Sequence, residues 1–249
     1  MPTCAEDYLL VEGVCKRFGA TLALADVSLR VERGRIFGLV GSDGAGKTSL
    51  LRCLAGMTPP DGGRIALGGR DALRERRSLK SLIGYMPQRF GLYPDLSVAE
   101  NLDFFMDIFG VTGSERARRR EKYLGFSNLL PFVERPAGQL SGGMKQKLGL
   151  ACVLVHEPEL LILDEPTNGV DPVSRQEFWQ ILIEMRASGL TIVVSTAYLD
   201  EGALCDELAV MHQGRVLATG TPAAITGAAA SLEEALIARL EAQNEAPHA

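Results

Sequence analysis

The octapeptide Gly41-Ser42-Asp43-Gly44-Ala45-Gly46-Lys47-Thr48 restricts the fold of this chain more than any other stretch. It matches the pattern G-x-x-x-x-G-K-[ST] and follows Ile36-Phe37-Gly38-Leu39-Val40, an apolar run that reads as a buried strand. Ser49 to Ala55 continues with helical spacing. A strand feeding a glycine-rich loop that opens a helix is suited to cradling phosphate. Glycine lets the backbone turn tightly, and the loop N–H groups form an anion nest with the positive end of the helix. Lys47 is expected to reach terminal phosphates and Thr48 to offer its hydroxyl to Mg²⁺. Gly41, Ser42, Asp43, Gly44, Ala45, Gly46 and Ser49 complete the expected phosphate-binding set.

A second signal agrees with the first. Leu160-Leu161-Ile162-Leu163-Asp164-Glu165 is an apolar strand ending in two carboxylates. Asp164 is suited to hold Mg²⁺ near the phosphates, and Glu165 to polarise an attacking water as general base. Strands that end in surface acids are common, so the pairing with the phosphate loop carries this reading.

Along the chain, Tyr8 to Val11, Val27 to Val31 and Arg64 to Leu67 read as strands separated by turns. The middle third reads as helical. Ser97-Val98-Ala99-Glu100 forms a capping box, and Leu102, Phe105, Met106 and Phe109 then mark one core-facing stripe. Leu160 to Leu163 and Thr191 to Val194 read as central parallel strands, with a helix over Ser174 to Met185 between them. Val210 to Gly220 suggests a hairpin turning at Gln213-Gly214, and Ser231 to Glu234 a box capping a last helix with Leu236, Ile237 and Leu240. This alternation predicts an α/β domain on a mostly parallel sheet, with the helical middle inserted.

Composition mainly excludes. The longest apolar stretch, Leu148 to Val155, falls far short of the roughly 20 residues of a membrane-spanning helix. Met1 to Gly13 carries acidic residues and lacks a secretory pattern, so the chain is not expected to enter a membrane by itself. A net charge of −5 disfavours a nucleic-acid partner, and the basic cluster Arg116 to Lys122 is bracketed by acids as on a solvated helix face. Cys4, Cys15, Cys53, Cys152 and Cys205 are scattered and read as reduced, buried small side chains. His156, His212 and His248 show no metal-ligand spacing.

Leu140-Ser141-Gly142-Gly143-Met144-Lys145-Gln146 then identifies a family: it resembles the signature motif of ABC transporter ATP-binding subunits. Gly84-Tyr85-Met86-Pro87-Gln88 resembles the loop whose glutamine contacts Mg²⁺ and senses the transmembrane partner. Phe18 sits where the family stacks a ring on adenine, and Val170-Asp171 resembles the loop that links two sites across a dimer. The resemblance spans about residues 8 to 220. It implies a P-loop NTPase core with an antiparallel β subdomain and an inserted helical subdomain of about residues 90–155, within a domain of residues 8–225. It also implies a C-terminal helical tail of residues 226–249.

The same resemblance implies ATP and Mg²⁺ as ligands, with Gln88, Thr48 and Asp164 on the metal and Lys47, Glu165 and Gln88 in catalysis. Ser141, Gly142 and Gly143 would serve ATP held by a second subunit, one chain having no need of two phosphate sites for one nucleotide. It further implies a transmembrane permease partner and a place on the cytoplasmic face of the membrane. Asp164 to Pro172, Tyr198-Leu199-Asp200-Glu201 and the tail around Ser231 to Leu240 look most like ABC-2 type exporters, drug efflux systems among them.

One family feature is absent. After the strand Thr191 to Val194, most members carry a histidine that contacts the γ-phosphate, and here Ala197 occupies that position. Loss of one charge-stabilising donor commonly costs on the order of 10²–10³ in rate. A slow site paired with a consensus partner is therefore expected, which favours a heterodimer over a homodimer. Competing readings are a regulatory subunit that binds ATP with little turnover, and a soluble ABC ATPase acting on ribosomes or DNA. Another P-loop enzyme, such as a small-molecule kinase, leaves Ser141-Gly142-Gly143 unexplained.

Overall fold

The structure is a computed structural model and describes residues 7–245. The readings for Cys4, His248 and the first six residues of the Met1 to Gly13 segment lie outside the described residues, as does that for Leu240 among the side chains. Two long strands, β1 (Asp7–Phe18) and β2 (Thr21–Glu32), form an antiparallel hairpin. Both run well past the short segments expected from the sequence. The reason lies in register shifts between Val11 and Lys16, where Gly13 (φ 59°) faces Asp26 (φ 58°). Such bulges break the apolar alternation by which a strand is recognised.

Next come β3 (Ile36–Val40) and α1 (Lys47–Leu54), then β4 (Gly62–Leu67), β5 (Arg70–Asp71) and the short α2 (Arg76–Leu79). Helix α1 starts two residues before the expected Ser49, because the lysine of the loop is already helical. Strands β4 and β5 join the hairpin in an antiparallel sheet of order β2-β1-β4-β5.

After β6 (Ile83–Met86) three α-helices intervene: α3 (Val98–Ile108), α4 (Gly113–Phe126) and α5 (Gly142–Leu154). The expected box caps α3, Ser97 Oγ accepting from the Glu100 N–H and the Glu100 carboxylate accepting from the Ser97 N–H. Leu102 and Met106 are buried as expected, but Phe109 is 42% exposed. The helix ends at Ile108, so Phe109 leaves the stripe and stacks on His156 with ring centroids 4.0 Å apart. The basic cluster lies on α4 and is neutralised within the chain by Asp103, Asp107, Glu115 and Glu157. The apolar run from Leu148 forms the buried end of α5.

The chain continues through β7 (Leu160–Asp164), α6 (Pro172–Ala187), β8 (Thr191–Thr196), α7 (Leu199–Gly202), β9 (Glu207–His212), β10 (Arg215–Gly220), α8 (Pro222–Thr226) and α9 (Leu232–Glu245). These strands complete a sheet of order β10-β9-β3-β8-β7-β6, parallel except for β10. Every residue of β3, β7 and β8 is buried, which explains their unbroken apolar runs. Helix α6 begins at Pro172, earlier than expected, with Asp171 as its cap. The β9–β10 turn falls at Gln213 (φ 47°) and Gly214 (φ 76°), as expected, though β9 starts three residues before Val210.

In α9, Leu232, Ala235 and Leu236 are buried, but Ile237 is 48% exposed. Cys53, Cys152 and Cys205 are buried free thiols. Burial pushes Cys53 up to about 11, and Cys205 up to about 12 with help from the charges of Asp206 and Glu201. Among the described residues no helix is long and apolar enough to cross a membrane.

Candidate nucleotide site

The loop from Gly41 to Thr48 joins β3 to α1 at the carboxyl end of the parallel strands, where ligands of open α/β sheets bind. Two of its glycines are dictated by neighbouring backbone. A Cβ at Gly41 would lie 2.3 Å from the Met211 carbonyl oxygen, and one at Gly46 (φ 103°) 2.6 Å from that of Ala23. The β9–β10 turn braces the loop further, Gly214 N–H donating to the Ala45 carbonyl at 2.9 Å.

Lys47 is only 4% exposed. Its ammonium donates to the Gly41 and Ser42 carbonyls at 2.6 and 3.1 Å and pairs with a Glu165 carboxylate oxygen at 3.2 Å. Thr48 Oγ1 donates to Asp164 Oδ1 at 2.9 Å, and Ser195 Oγ donates to the same oxygen at 2.9 Å. The Tyr85 hydroxyl lies 3.4 Å from the other Asp164 oxygen. Burial, and then the charge of Asp164, raise the Tyr85 pKa, so this phenol stays a neutral donor.

Glu165 adopts φ 48°, a left-handed conformation rare for a glutamate and tolerated only where surrounding contacts enforce it. Ser195 supplies two of these, its Oγ and carbonyl oxygen accepting from the Glu165 N–H at 3.0 and 3.2 Å. The other Glu165 carboxylate oxygen accepts from Gln88 at 3.0 Å and Asn168 at 3.2 Å.

Lys47, Thr48 and Glu165 open onto a cleft of about 750 Å³, lined also by Phe18, the rest of the loop from Asp43 to Ser49, Gln88, Asn168 and Gln213. Phe18 is 50% exposed, with the Lys16 ammonium 5.5 Å from its ring centroid. Lys16 is itself held by Asp61 and the Pro59 carbonyl, each at 2.8 Å. Phe18, Gly41 to Ser49, Gln88, Asp164 and Glu165 thus converge.

Ser141, Gly142 and Gly143 do not join them. They open α5, where Ser141 Oγ accepts from the Met144 N–H at 3.3 Å. Gly142 faces open space, while a Cβ on Gly143 would meet Ser174 Cβ at 2.4 Å. Ala197 follows β8 directly and is exposed.

Sequence reasoning missed Ser195, Asn168 and Gln213. Ser195 pairs with Asp164 across β7 and β8, a register that the sequence alone does not set. Asn168 follows Glu165 at the three-residue spacing of a turn, a signal that was available. The oxygen donors of Thr48, Asp164 and Gln88 suit Mg²⁺, which binds through one or two protein ligands and the phosphates of its substrate. Among the described residues, no group of three or more His, Cys, Asp or Glu side chains could hold a metal by itself.

A mostly parallel sheet with this loop at its carboxyl edge, and an acidic pair at the end of β7, the next strand but one, defines the P-loop nucleotide-binding class. The comparisons narrow it. The family described as "ABC transporter" matches residues 24–168. The Escherichia coli protein named "Probable multidrug ABC transporter ATP-binding protein YbhF" is 47% identical over 220 residues, covering 88% of this chain and 38% of that protein. A Ralstonia nicotianae "Nod factor export ATP-binding protein I" is 40% identical over 215 residues, covering 86% of this chain and 67% of that one. The solved structure of cbiO1 from Clostridium perfringens, titled as part of an ABC transporter complex, superposes with a TM-score of 0.83 at 30% identity, covering 96% of each chain. This chain belongs to the ABC transporter family as an ATP-binding cassette.

Proposed function

We propose that this chain binds Mg·ATP in the Gly41–Ser49 cleft and hydrolyses it as the peripheral subunit of an exporter, working against a transmembrane permease. The observation that carries the reading is the pair of contacts Lys47–Glu165 and Thr48–Asp164, at 3.2 and 2.9 Å on adjacent residues of two elements. Lys47 would exchange its Gly41 and Ser42 carbonyls for phosphate oxygens and release Glu165. Glu165, also held by Gln88 and Asn168, would then accept the proton of an attacking water. Thr48, Asp164 and Gln88 would hold Mg²⁺, which supplies charge neutralisation on the phosphates. Phe18 offers the adenine an exposed ring.

Ser141, Gly142 and Gly143 serve the nucleotide of a second cassette, in keeping with their absence from the lining of this chain's own cleft. The names of the relatives support export, and the family supports a place at the cytoplasmic membrane face with no nucleic-acid partner. The cassette comprises residues 8–225, with the helical subdomain at about 90–155 and a tail at 226–249. Ala197, at the end of β8, makes this chain's own site slow and favours a consensus partner. The same alanine supports a second reading, a regulatory subunit with little turnover, against which the intact Glu165 constellation speaks.

Equilibrium binding of ATP to the purified chain tests the site. One ATP per chain, with affinity lost on chelating Mg²⁺ and in Lys47→Ala, is the expected result. Binding unchanged by Lys47→Ala would place the nucleotide elsewhere.

A further inference from the structure

Glu201 is 1% exposed, yet it lies in the short helix α7 outside the cleft. A carboxylate removed from water needs strong donors around it. Here they come from three separate segments. Thr167 Oγ1, in the loop after β7, donates to Oε1 at 2.6 Å. Thr196 Oγ1, the last residue of β8, donates to Oε2 at 2.5 Å. Arg175 Nε, buried on α6 and without a hydrogen-bond partner, lies 3.7 Å from Oε1. The Thr196 hydroxyl also accepts from the Tyr198 N–H at 2.9 Å, so its proton is committed to Glu201 and the turn holding Ala197 is closed. The Arg175 guanidinium in turn covers the Tyr198 ring at 4.2 Å.

The two threonines flank the chemistry. Thr167 lies two residues beyond Glu165, whose left-handed backbone must be enforced from outside. Thr196 adjoins Ser195, which holds both the Glu165 N–H and Asp164. We infer that Glu201 is a positioning residue: through Thr167 and Thr196 it fixes the backbone that aims Glu165 and the turn that places residue 197. It touches neither nucleotide nor metal, and its role rests on the reading of Glu165 as the hydrolytic base.

The test compares the native chain with Glu201→Gln, Thr167→Val and Thr196→Val, by steady-state ATP hydrolysis and by hydrogen exchange of the nucleotide-free protein. In Glu201→Gln, kcat falls about tenfold to a hundredfold, as for a catalytic group moved slightly off line. KM for ATP stays within about threefold of the native value, because the phosphate loop is untouched. Exchange rises over residues 166–170 and 195–199 together, while residues 41–54 keep their protection. Each threonine variant shows the same pattern more weakly, and keeps the test decisive should Glu201→Gln not fold.

Exchange that rises only around 199–205, or a KM that moves with kcat unchanged, overturns the proposal. Should the native chain hydrolyse no ATP, the hydrolytic reading fails, and the paired exchange response of the two loops still decides whether Glu201 couples them.

Discussion

Helices α1 and α5 both begin at glycine-rich turns, but only one of these turns is closed by its own chain. The N-cap of α1 is Gly46, which has no side chain to satisfy the first-turn N–H groups, while Lys47 and two carboxylates crowd around the loop. The N-cap of α5 is Ser141, which caps its own helix and lies exposed beside the open Gly142. The first turn has what phosphate binding needs from one chain: free donors, a buried cation and a metal-competent pair. The second offers donors and a helix dipole, and Gly142 lines a separate pocket with Arg89 and Lys145 rather than the cleft. A helix N-terminus becomes a site only through what surrounds it, and in the proposed function a second cassette supplies those surroundings around α5.

Breaking the enclosed site should have the largest effect. Lys47→Ala removes the cation and leaves Glu165 without its partner, so hydrolysis should drop on the order of 10²–10³ and ATP affinity with it. Glu165→Gln should lower kcat on the order of 10²–10³ while leaving Mg·ATP affinity within about threefold, which separates binding from chemistry. A Glu165→Gln chain that hydrolyses normally would move the base elsewhere.

The α5 turn divides into two halves. Gly143→Ala drives a Cβ to 2.4 Å from Ser174 and should cost about 1–3 kcal/mol in chemical denaturation. Gly142→Ala meets open space and should stay within about 0.5 kcal/mol of the native chain. Equal stabilities for the two variants would mean that Gly143 is not chosen for packing.

The smallest effect concerns His156, just beyond the other end of α5. Burial lowers its pKa, with Arg119 opposing its charge and the Ile83 carbonyl partly favouring it. A depressed histidine stays neutral in the fold while the unfolded chain takes up a proton below about pH 6.5. Stability is therefore lost as pH falls from the unfolded value toward the lower folded one. His156→Phe should lose less stability than the native chain between pH 7.5 and 5.5 in urea denaturation. An identical loss would show that His156 does not titrate out of step.

Legibility in the sequence followed the same divide. Gly41 to Thr48 and Leu160 to Glu165 were readable because local backbone and local charge make those sites, and β3, β7 and β8 because full burial leaves unbroken apolar runs. The hairpin β1–β2 was readable only in part, since its bulges scramble the alternation. Phe109 was misjudged because an apolar stripe does not announce where its helix ends. Ser195 and Glu201 act through strand register and long-range burial, which residue spacing does not reveal.

The central claim, a complete but slowed hydrolytic site, is tested most directly by steady-state ATP hydrolysis of the purified chain beside Lys47→Ala and Ala197→His. The account predicts a native rate clearly above the Lys47→Ala blank and well below that of Ala197→His. A native chain that turns over briskly, with nothing gained from the histidine, would contradict it and leave the chain free to act as an ordinary homodimer.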